Sequence, residues 1–108
     1  MNNEDKKYNG WTNYETWNYK LWMDNDQGSY NCVMNQAKEI MNNSTVDKTF
    51  TKIENAKLTL MAMLKDECES NNPLIDQANT YSDMLSAAIS EINFYEIASS
   101  IIDDLENN

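Results

Sequence analysis

The chain carries only two glycines and one proline among its 108 residues. Because glycine and proline interrupt helices and form the turns of β-rich folds, their scarcity favours long helices over a sheet. The apolar residues fall at helical intervals, and no segment alternates convincingly at period two. We therefore predict an all-α fold, a compact bundle of about five helices. A single domain is expected to span residues 1–108, with residues 1–11 as a flexible N-terminal arm.

The first helix is predicted to begin at Thr12, which is placed to form a capping box with Glu15. Tyr14, Trp17 and Leu21 follow at intervals of three and four residues, so they are expected to face the core.

Four further helix starts follow from capping residues: Ser29, Thr45, Pro73 as a first helical residue, and Asn93, which opens a second capping box with Glu96. The expected inward residues of the last two helices are Leu74, Ala78, Tyr81, Leu85, Ala88 and Ile92, then Phe94, Ile97, Ala98, Ile101, Ile102 and Leu105.

The composition excludes several kinds of chemistry. The chain has no histidine, and its eight basic residues are all lysines, so it offers no imidazole base and no guanidinium to clamp a phosphate. Cys32 and Cys68 do not form a C-x-x-C pair and are expected to be reduced thiols. The stretch from Asp24 to Gly28 hints at a calcium loop, but its glycine comes one place too early. We expect a protein that is not an enzyme and uses no cofactor or metal.

Charge is distributed very unevenly along the sequence. Residues 1–65 hold eight acidic residues and all eight lysines, whereas residues 66–108 hold ten acidic residues and no base. These ten are Asp66, Glu67, Glu69, Asp76, Asp83, Glu91, Glu96, Asp103, Asp104 and Glu106. Asp76 and Asp83 are seven residues apart, as are Glu96 and Asp103, so each pair is expected to lie on one solvent-facing stripe of its helix.

Such an unbalanced surface attracts a basic partner. Proteins that handle nucleic acid line their grooves with lysine and arginine, and a rigid helical surface with regularly placed carboxylates can occupy such a groove in place of the phosphates. The alternative from the same residues is that the acidity only keeps the protein soluble.

A second candidate surface lies on the first helix. Tyr19 and Met23 point away from the stripe of Tyr14, Trp17 and Leu21, and with Trp22 they form an aromatic and methionine patch suited to a partner or a homodimer. Direct binding of nucleic acid is not expected, because the protein's own charge opposes it.

Two segments resemble a known family. Residues 9–17 read N-G-W-T-N-Y-E-T-W, with L-W at 21–22 and N-D at 25–26. Residues 85–93 read L-S-A-A-I-S-E-I-N and are followed by E-I-A at 96–98. Together they resemble a family of small phage- and plasmid-borne bacterial proteins whose opening runs approximately N-G-W-x-N-Y-E-T-W-x-x-x-L-W-x-x-N-D. The resemblance spans most of the chain, departs from the pattern in the middle helices, and implies a mobile element without supplying catalytic residues.

The sequence thus predicts an inhibitor of a nucleic-acid-binding defence protein, a CRISPR effector or a restriction nuclease, by analogy with the small acidic inhibitors that mobile elements encode. A helical adaptor or oligomerisation module that uses the aromatic patch is the alternative, and a small carboxylate enzyme would need a substrate pocket that the sequence does not reveal. The polar N-terminus and the lack of any run of about 18 apolar residues predict a location in the host cytoplasm, with no membrane contact.

Overall fold

The computed structural model describes residues 8–47 and 50–107. Five helices follow one another: α1 (Tyr14–Asn25), α2 (Gln27–Asn43), α3 (Lys52–Ser70), α4 (Thr80–Glu91) and α5 (Phe94–Glu106). Within the described ranges, the β pairing is limited to an isolated bridge between Tyr8 and Trp11. The prediction of an all-α bundle of five helices is confirmed.

The core is built around α5. This helix packs most extensively against α3, and α2 lies against both. Leu60 and Leu64 of α3 and Ile97 and Ile102 of α5 are fully buried. The predicted inward stripe of α5 is confirmed, because five of its members are buried and Leu105 packs against them.

The predicted inward face of α1 is wrong. Tyr14 and Leu21 are exposed, whereas Met23 is buried and Tyr19 packs against Phe94 with ring centroids 5.5 Å apart. Apolar residues occur on both sides of this helix, so periodicity alone could not choose between them. Thr16 determines which side of α1 faces the core, because it lies on the same side as Tyr19 and Met23 and is fully buried.

Residues 8–11, predicted as part of a flexible arm, instead form a tight turn. Tyr8 and Trp11 exchange two backbone hydrogen bonds of 2.9 and 2.7 Å. Asn9 and Gly10 between them have positive φ angles of 49° and 93°, as the two central residues of a type I′ turn require. The Tyr8 ring lies 5.0 Å from that of Trp17, so the turn covers the outer face of α1. Residues 1–7 of the predicted arm lie outside the described residues.

The first two helices begin at other caps than predicted. Asn13, not Thr12, caps α1 and accepts a hydrogen bond from the Thr16 N–H. Asp26, not Ser29, caps α2; its carboxylate accepts from the Gly28 N–H and from the Ser29 hydroxyl. The stretch that hinted at a calcium loop therefore serves as a helix cap.

The third helix begins at a capping box that the sequence analysis overlooked. The Thr51 hydroxyl accepts from the Glu54 N–H at 3.1 Å, and the Glu54 carboxylate accepts from the Thr51 N–H at 2.9 Å. Thr45, the predicted start, lies in the preceding loop, where its carbonyl accepts from the Asn55 side chain. Because the reciprocal box satisfies two backbone donors, it sets the start six residues later.

The predicted start of α4 at Pro73 is also wrong. Asn79 caps the helix through a reciprocal box with Ser82. The Ser82 N–H donates to the Asn79 side chain at 2.9 Å, and the Ser82 hydroxyl accepts from the Asn79 N–H at 3.0 Å. Pro73 lies in a turn that the Asn72 side chain stabilises by accepting from the Leu74 N–H. This later start brings Ser82 into the interior and leaves Ala78 and Tyr81, both predicted inward, exposed.

The N-termini of α1 and α5 share one hydrogen-bond network, which we call the cap network: Thr12, Asn13, Thr16, Asn93 and Glu96. The Thr16 hydroxyl donates to Asn13 Oδ1 at 2.7 Å and accepts from the Asn93 N–H at 2.8 Å. Asn93 Oδ1 caps α5 as predicted, and Glu96 Oε1 accepts from the Thr12 N–H at 3.1 Å. The predicted second capping box is thus half confirmed. Asn93 accepts from the Glu96 N–H as expected, but the Asn93 N–H donates to Thr16 of α1.

The cap network leads to a stability prediction. Thr16→Val keeps the shape of the side chain but leaves the Asn93 N–H without its acceptor, which we expect to cost about 1–3 kcal/mol of unfolding free energy. Urea unfolding followed by circular dichroism measures the change. The matched control is Thr59→Val at an exposed position of α3, expected to change stability by no more than about 0.5 kcal/mol. Equal stability of the two variants would contradict the role given to Thr16.

Candidate functional site

The fourth helix is the least packed element of the bundle. It contacts α1 and makes no comparable contact with α2, α3 or α5. Its one buried residue is Ser82, whereas Tyr81 is 74% and Met84 65% exposed. Ile75, in the segment leading to α4, is exposed as well. An amphipathic helix held this loosely, with large apolar side chains in solvent, is typical of an interaction surface.

A groove of about 610 Å³ lies along the junction of α4 with α1 and the end of α3, and we call it the α1–α4 groove. Its apolar walls are formed by Tyr19, Trp22, Met23, Leu85, Ala88 and Ile89, and Cys68 contributes from α3. The acidic residues along it are Glu15, Asp26 and Glu67, and no lysine lines it. This groove therefore combines an apolar interior with a uniformly negative edge.

A second groove of about 850 Å³ lies on the other side of α4, against α3 and the start of α5. Glu69 and Glu91 line it, but so does Lys65, so its charge is mixed. Ile89 and Ile92 line both grooves, so the two hollows border the same side of the end of α4. Of these two grooves beside α4, the α1–α4 groove is the one whose lining contains no lysine.

Seven of the ten carboxylates in residues 66–107 are exposed, and Glu67, Glu96 and Asp103 are half-buried. Between described residues, one ion pair involves this set: Lys57 Nζ lies 3.0 Å from Asp103 Oδ1. The carboxylates do not share one hollow, because Glu67, Glu69 and Glu96 line three different ones. The carboxylates are distributed over the end of α3, the turn before α4, α4 itself and α5, and they do not form one continuous surface.

The predicted carboxylate stripes differ between the two helices. Asp76 and Asp83 do not form a helical stripe, because Asp76 precedes the start of α4 at Thr80. Glu96 and Asp103 both lie on α5 and line one hollow, but both are half-buried, so they do not simply face water as predicted. Glu96 belongs to the cap network and Asp103 pairs with Lys57, so both already have structural roles.

The three residues of the predicted aromatic patch do not share one surface: Tyr19 and Met23 face the core, whereas Trp22 is exposed. Met23 is only 8% exposed and belongs to the core, and Tyr19 packs against that core. The expectation that these two residues point outward is wrong, because the α1 face that bears Thr16 turns inward. Trp22 stays available at 66% exposure, at the edge of the α1–α4 groove.

Burial changes the acidity of two groups that line this groove. Desolvation raises the pKa of Tyr19 to about 12, and the charges of Cys68 and Glu67 add to the rise. Burial also raises the pKa of the Cys68 thiol, with the Glu69 charge as a second cause. Both groups are therefore neutral at physiological pH, and a protonated Cys68 is a poor nucleophile.

Sequence reasoning did not find the α1–α4 groove. Leu85 and Ala88 were assigned to a buried stripe, and Tyr19 and Met23 to an outer patch, yet all four line the same open groove. The signal that was available in the sequence is the Asn79-x-x-Ser82 capping box, which places the start of α4 at Thr80. In the parts of the chain that the structure describes, no group of three or more Cys, Asp or Glu side chains could hold a metal ion, and no helix could cross a bilayer.

Comparison with known proteins gives a single finding. Residues 4–101 match DUF7249, described as a family of unknown function. No curated protein and no solved structure matches the chain. Both segments that carry the resemblance to mobile-element proteins fall within the matched range, and they contain the two halves of the cap network.

The raised pKa of Tyr19 predicts a loss of stability at high pH. Tyrosine ionises near pH 10 in the unfolded chain and near 12 in the folded one, so the folded state holds the proton longer and its stability falls as pH rises from about 10 to about 12. Below about pH 10, Tyr19 is protonated in both states and contributes no pH dependence to the stability. Tyr19→Phe should reduce the loss, as measured by urea unfolding at a series of pH values. The control, Tyr81→Phe at an exposed position, should retain it, and identical profiles for the two variants would contradict the assignment.

Proposed function

Because the chain belongs to this family of unknown function, we propose its role from its own surface: it is a non-catalytic protein that binds a basic surface of a partner protein through the carboxylates of residues 66–107. The observation that supports this proposal is that seven of these ten carboxylates are exposed and no lysine occurs in the segment. A soluble surface ordinarily mixes both signs of charge. A region without any base forgoes local ion pairs and speeds the encounter with a positive partner.

The partner class that fits such a surface is a nucleic-acid-binding protein. Its groove is lined with lysine and arginine because every contacted phosphate carries a charge. Carboxylates on a rigid helical surface can occupy that groove and thereby inhibit the protein. In its most specific form, the proposal is an inhibitor of a bacterial defence protein, a CRISPR effector or a restriction nuclease, encoded by a mobile element and acting in the host cytoplasm.

The geometry refines which carboxylates take part. Glu96 and Asp103 have structural roles, so we assign the contact to the exposed residues of the segment. These are Asp66, Glu69, Asp76, Asp83, Glu91, Asp104 and Glu106. Asp76, Asp83 and Glu91 lie on α4 and in the turn before it, Asp66 and Glu69 lie at the end of α3, and Asp104 and Glu106 lie at the end of α5. The proposed contact therefore does not depend on a regular row of charges along one helix.

A second candidate function is a helical adaptor or oligomerisation module. The exposure of Tyr81, Met84 and Ile75 favours it, since large apolar side chains in solvent often mark a contact surface. In this form the acidity is incidental. The two candidates differ in their response to salt, because an apolar contact does not weaken as ions screen the charges.

The proposed function predicts that binding depends on the position of the charges as well as on their number. The partner is first captured from a bacterial lysate on the immobilised protein, identified, purified and tested for displacement by duplex DNA. Glu69→Lys combined with Asp76→Lys should then weaken binding of that partner at least tenfold, about 1.4 kcal/mol. Binding of the unaltered protein should also weaken steeply as salt is added.

The matched control is Asp24→Lys combined with Glu39→Lys, which changes the net charge equally but alters the first half of the chain. Asp24 forms only an exposed ion pair with Lys20, of little energetic value. The control should retain binding within about twofold, which is a small fraction of the tenfold effect. Equal effects of the two double variants, or binding that salt leaves unchanged, would contradict the proposal and favour the adaptor.

A further inference from the structure

We propose that the α1–α4 groove binds an amphipathic basic helix of the partner protein, whose apolar side chains enter the groove while its lysines or arginines lie along the acidic edge. This inference rests on the proposed function and names the element of the partner that is recognised. It is drawn from the groove's chemistry, since apolar walls and a purely negative edge meet at this place in the described part of the chain.

The walls of the groove suit apolar anchors of varied shape. Leu85 and Ile89 are half-buried and offer aliphatic surface, whereas the core residue Met23 lines the groove with only 8% of its own surface exposed. Trp22 stands at the edge with most of its surface in solvent. Its ring can pack against an apolar residue or lie under the guanidinium of an arginine.

The edge of the groove selects a positive ligand. Glu15 and Asp26 project from the α1 side and Glu67 from α3, and no lysine lines the groove to balance them. A second copy of this chain, with a net charge of −10, would meet electrostatic repulsion there. Nucleic acid would be repelled for the same reason, so a basic protein segment is the occupant that the charge favours.

The dimensions of the groove favour a helical ligand. The α4 helix has 12 residues and is therefore about 18 Å long, which matches about three turns of a second helix laid beside it. A helix laid in an apolar groove presents its anchors at intervals of three and four residues. Since α4 packs mainly against α1 among the described helices, a small shift of α4 can widen the groove to admit such anchors.

The test uses a synthetic helical peptide of leucine and lysine, with the leucines on one face, and a counterpart in which alanine replaces leucine. Calorimetry should show that the leucine peptide binds at least tenfold more tightly than the alanine peptide. Nuclear magnetic resonance should show shifts of the Trp22 indole signal and the Ala88 methyl signal on binding. Ala88→Trp should fill the groove and weaken binding about tenfold or more, whereas Ala87→Trp, at the exposed neighbouring position, should bind within about twofold of the unaltered protein.

A second pair of variants keeps the test decisive if Ala88→Trp does not fold. Glu67→Lys reverses a charge on the groove edge, and Glu39→Lys makes the same change at an exposed residue of α2 that does not line the groove. Glu67→Lys should weaken binding of the leucine peptide several-fold more than Glu39→Lys. Equal effects within both pairs, or equal binding of the two peptides, would overturn the groove proposal.

The outcomes also separate this inference from the proposed function. If the groove variants have no selective effect while the charge reversal at Glu69 and Asp76 still abolishes binding of the captured partner, only the groove proposal fails. If that charge reversal has no effect, the proposed function fails. A doubling of the protein's mass at high concentration that Ala88→Trp abolishes would show a second copy in the groove and would overturn the proposed occupant.

Discussion

The arrangement of this bundle depends on one buried hydroxyl. Thr16 joins the caps of α1 and α5 by donating to Asn13 and accepting from the backbone of Asn93. Two helix N-termini meet there, and each carries a partial positive charge, which the Glu96 carboxylate beside the Thr12 N–H offsets. Because a buried hydroxyl must keep its partners, Thr16 fixes which side of α1 faces the core.

The position of α4 follows from the same junction. The Asn13 side chain donates to the Glu91 carbonyl at 2.7 Å, so the last turn of α4 is tied to the first turn of α1. Only Ile92 and Asn93 separate α4 from α5, and α5 is committed to the core by its own apolar stripe. The C-terminal end of α4 is therefore held in place, while the rest of the helix lies against α1 and leaves a groove on either side. The proposed binding site exists because the core of the bundle is complete without α4.

The sequence predicted the helix class and the interior of α5, because in that helix the apolar residues lie on one side. It failed for α1, where Tyr14 and Trp17 compete with Tyr19 and Met23 for the core. The side of α1 that faces the core is set by a hydrogen bond between two residues 77 positions apart, Thr16 and Asn93. No local sequence pattern contains such a contact. For α4 the predicted start at Pro73 is wrong. A proline can begin a helix, but here the reciprocal box of Asn79 and Ser82 sets the start of α4. The charge asymmetry was visible in the sequence, but the grooves that it borders depend on how α4 is placed.

Amide hydrogen exchange under native conditions tests most directly the claim that the cap network and the α3–α5 core form one stable unit with α4 attached outside it. The account predicts that the Asn93 amide exchanges as slowly as the buried amides of α3 and α5, through global unfolding, while amides in the middle of α4 exchange at least about tenfold faster. Equal protection of α4 and α5, or rapid exchange at Asn93, would contradict it.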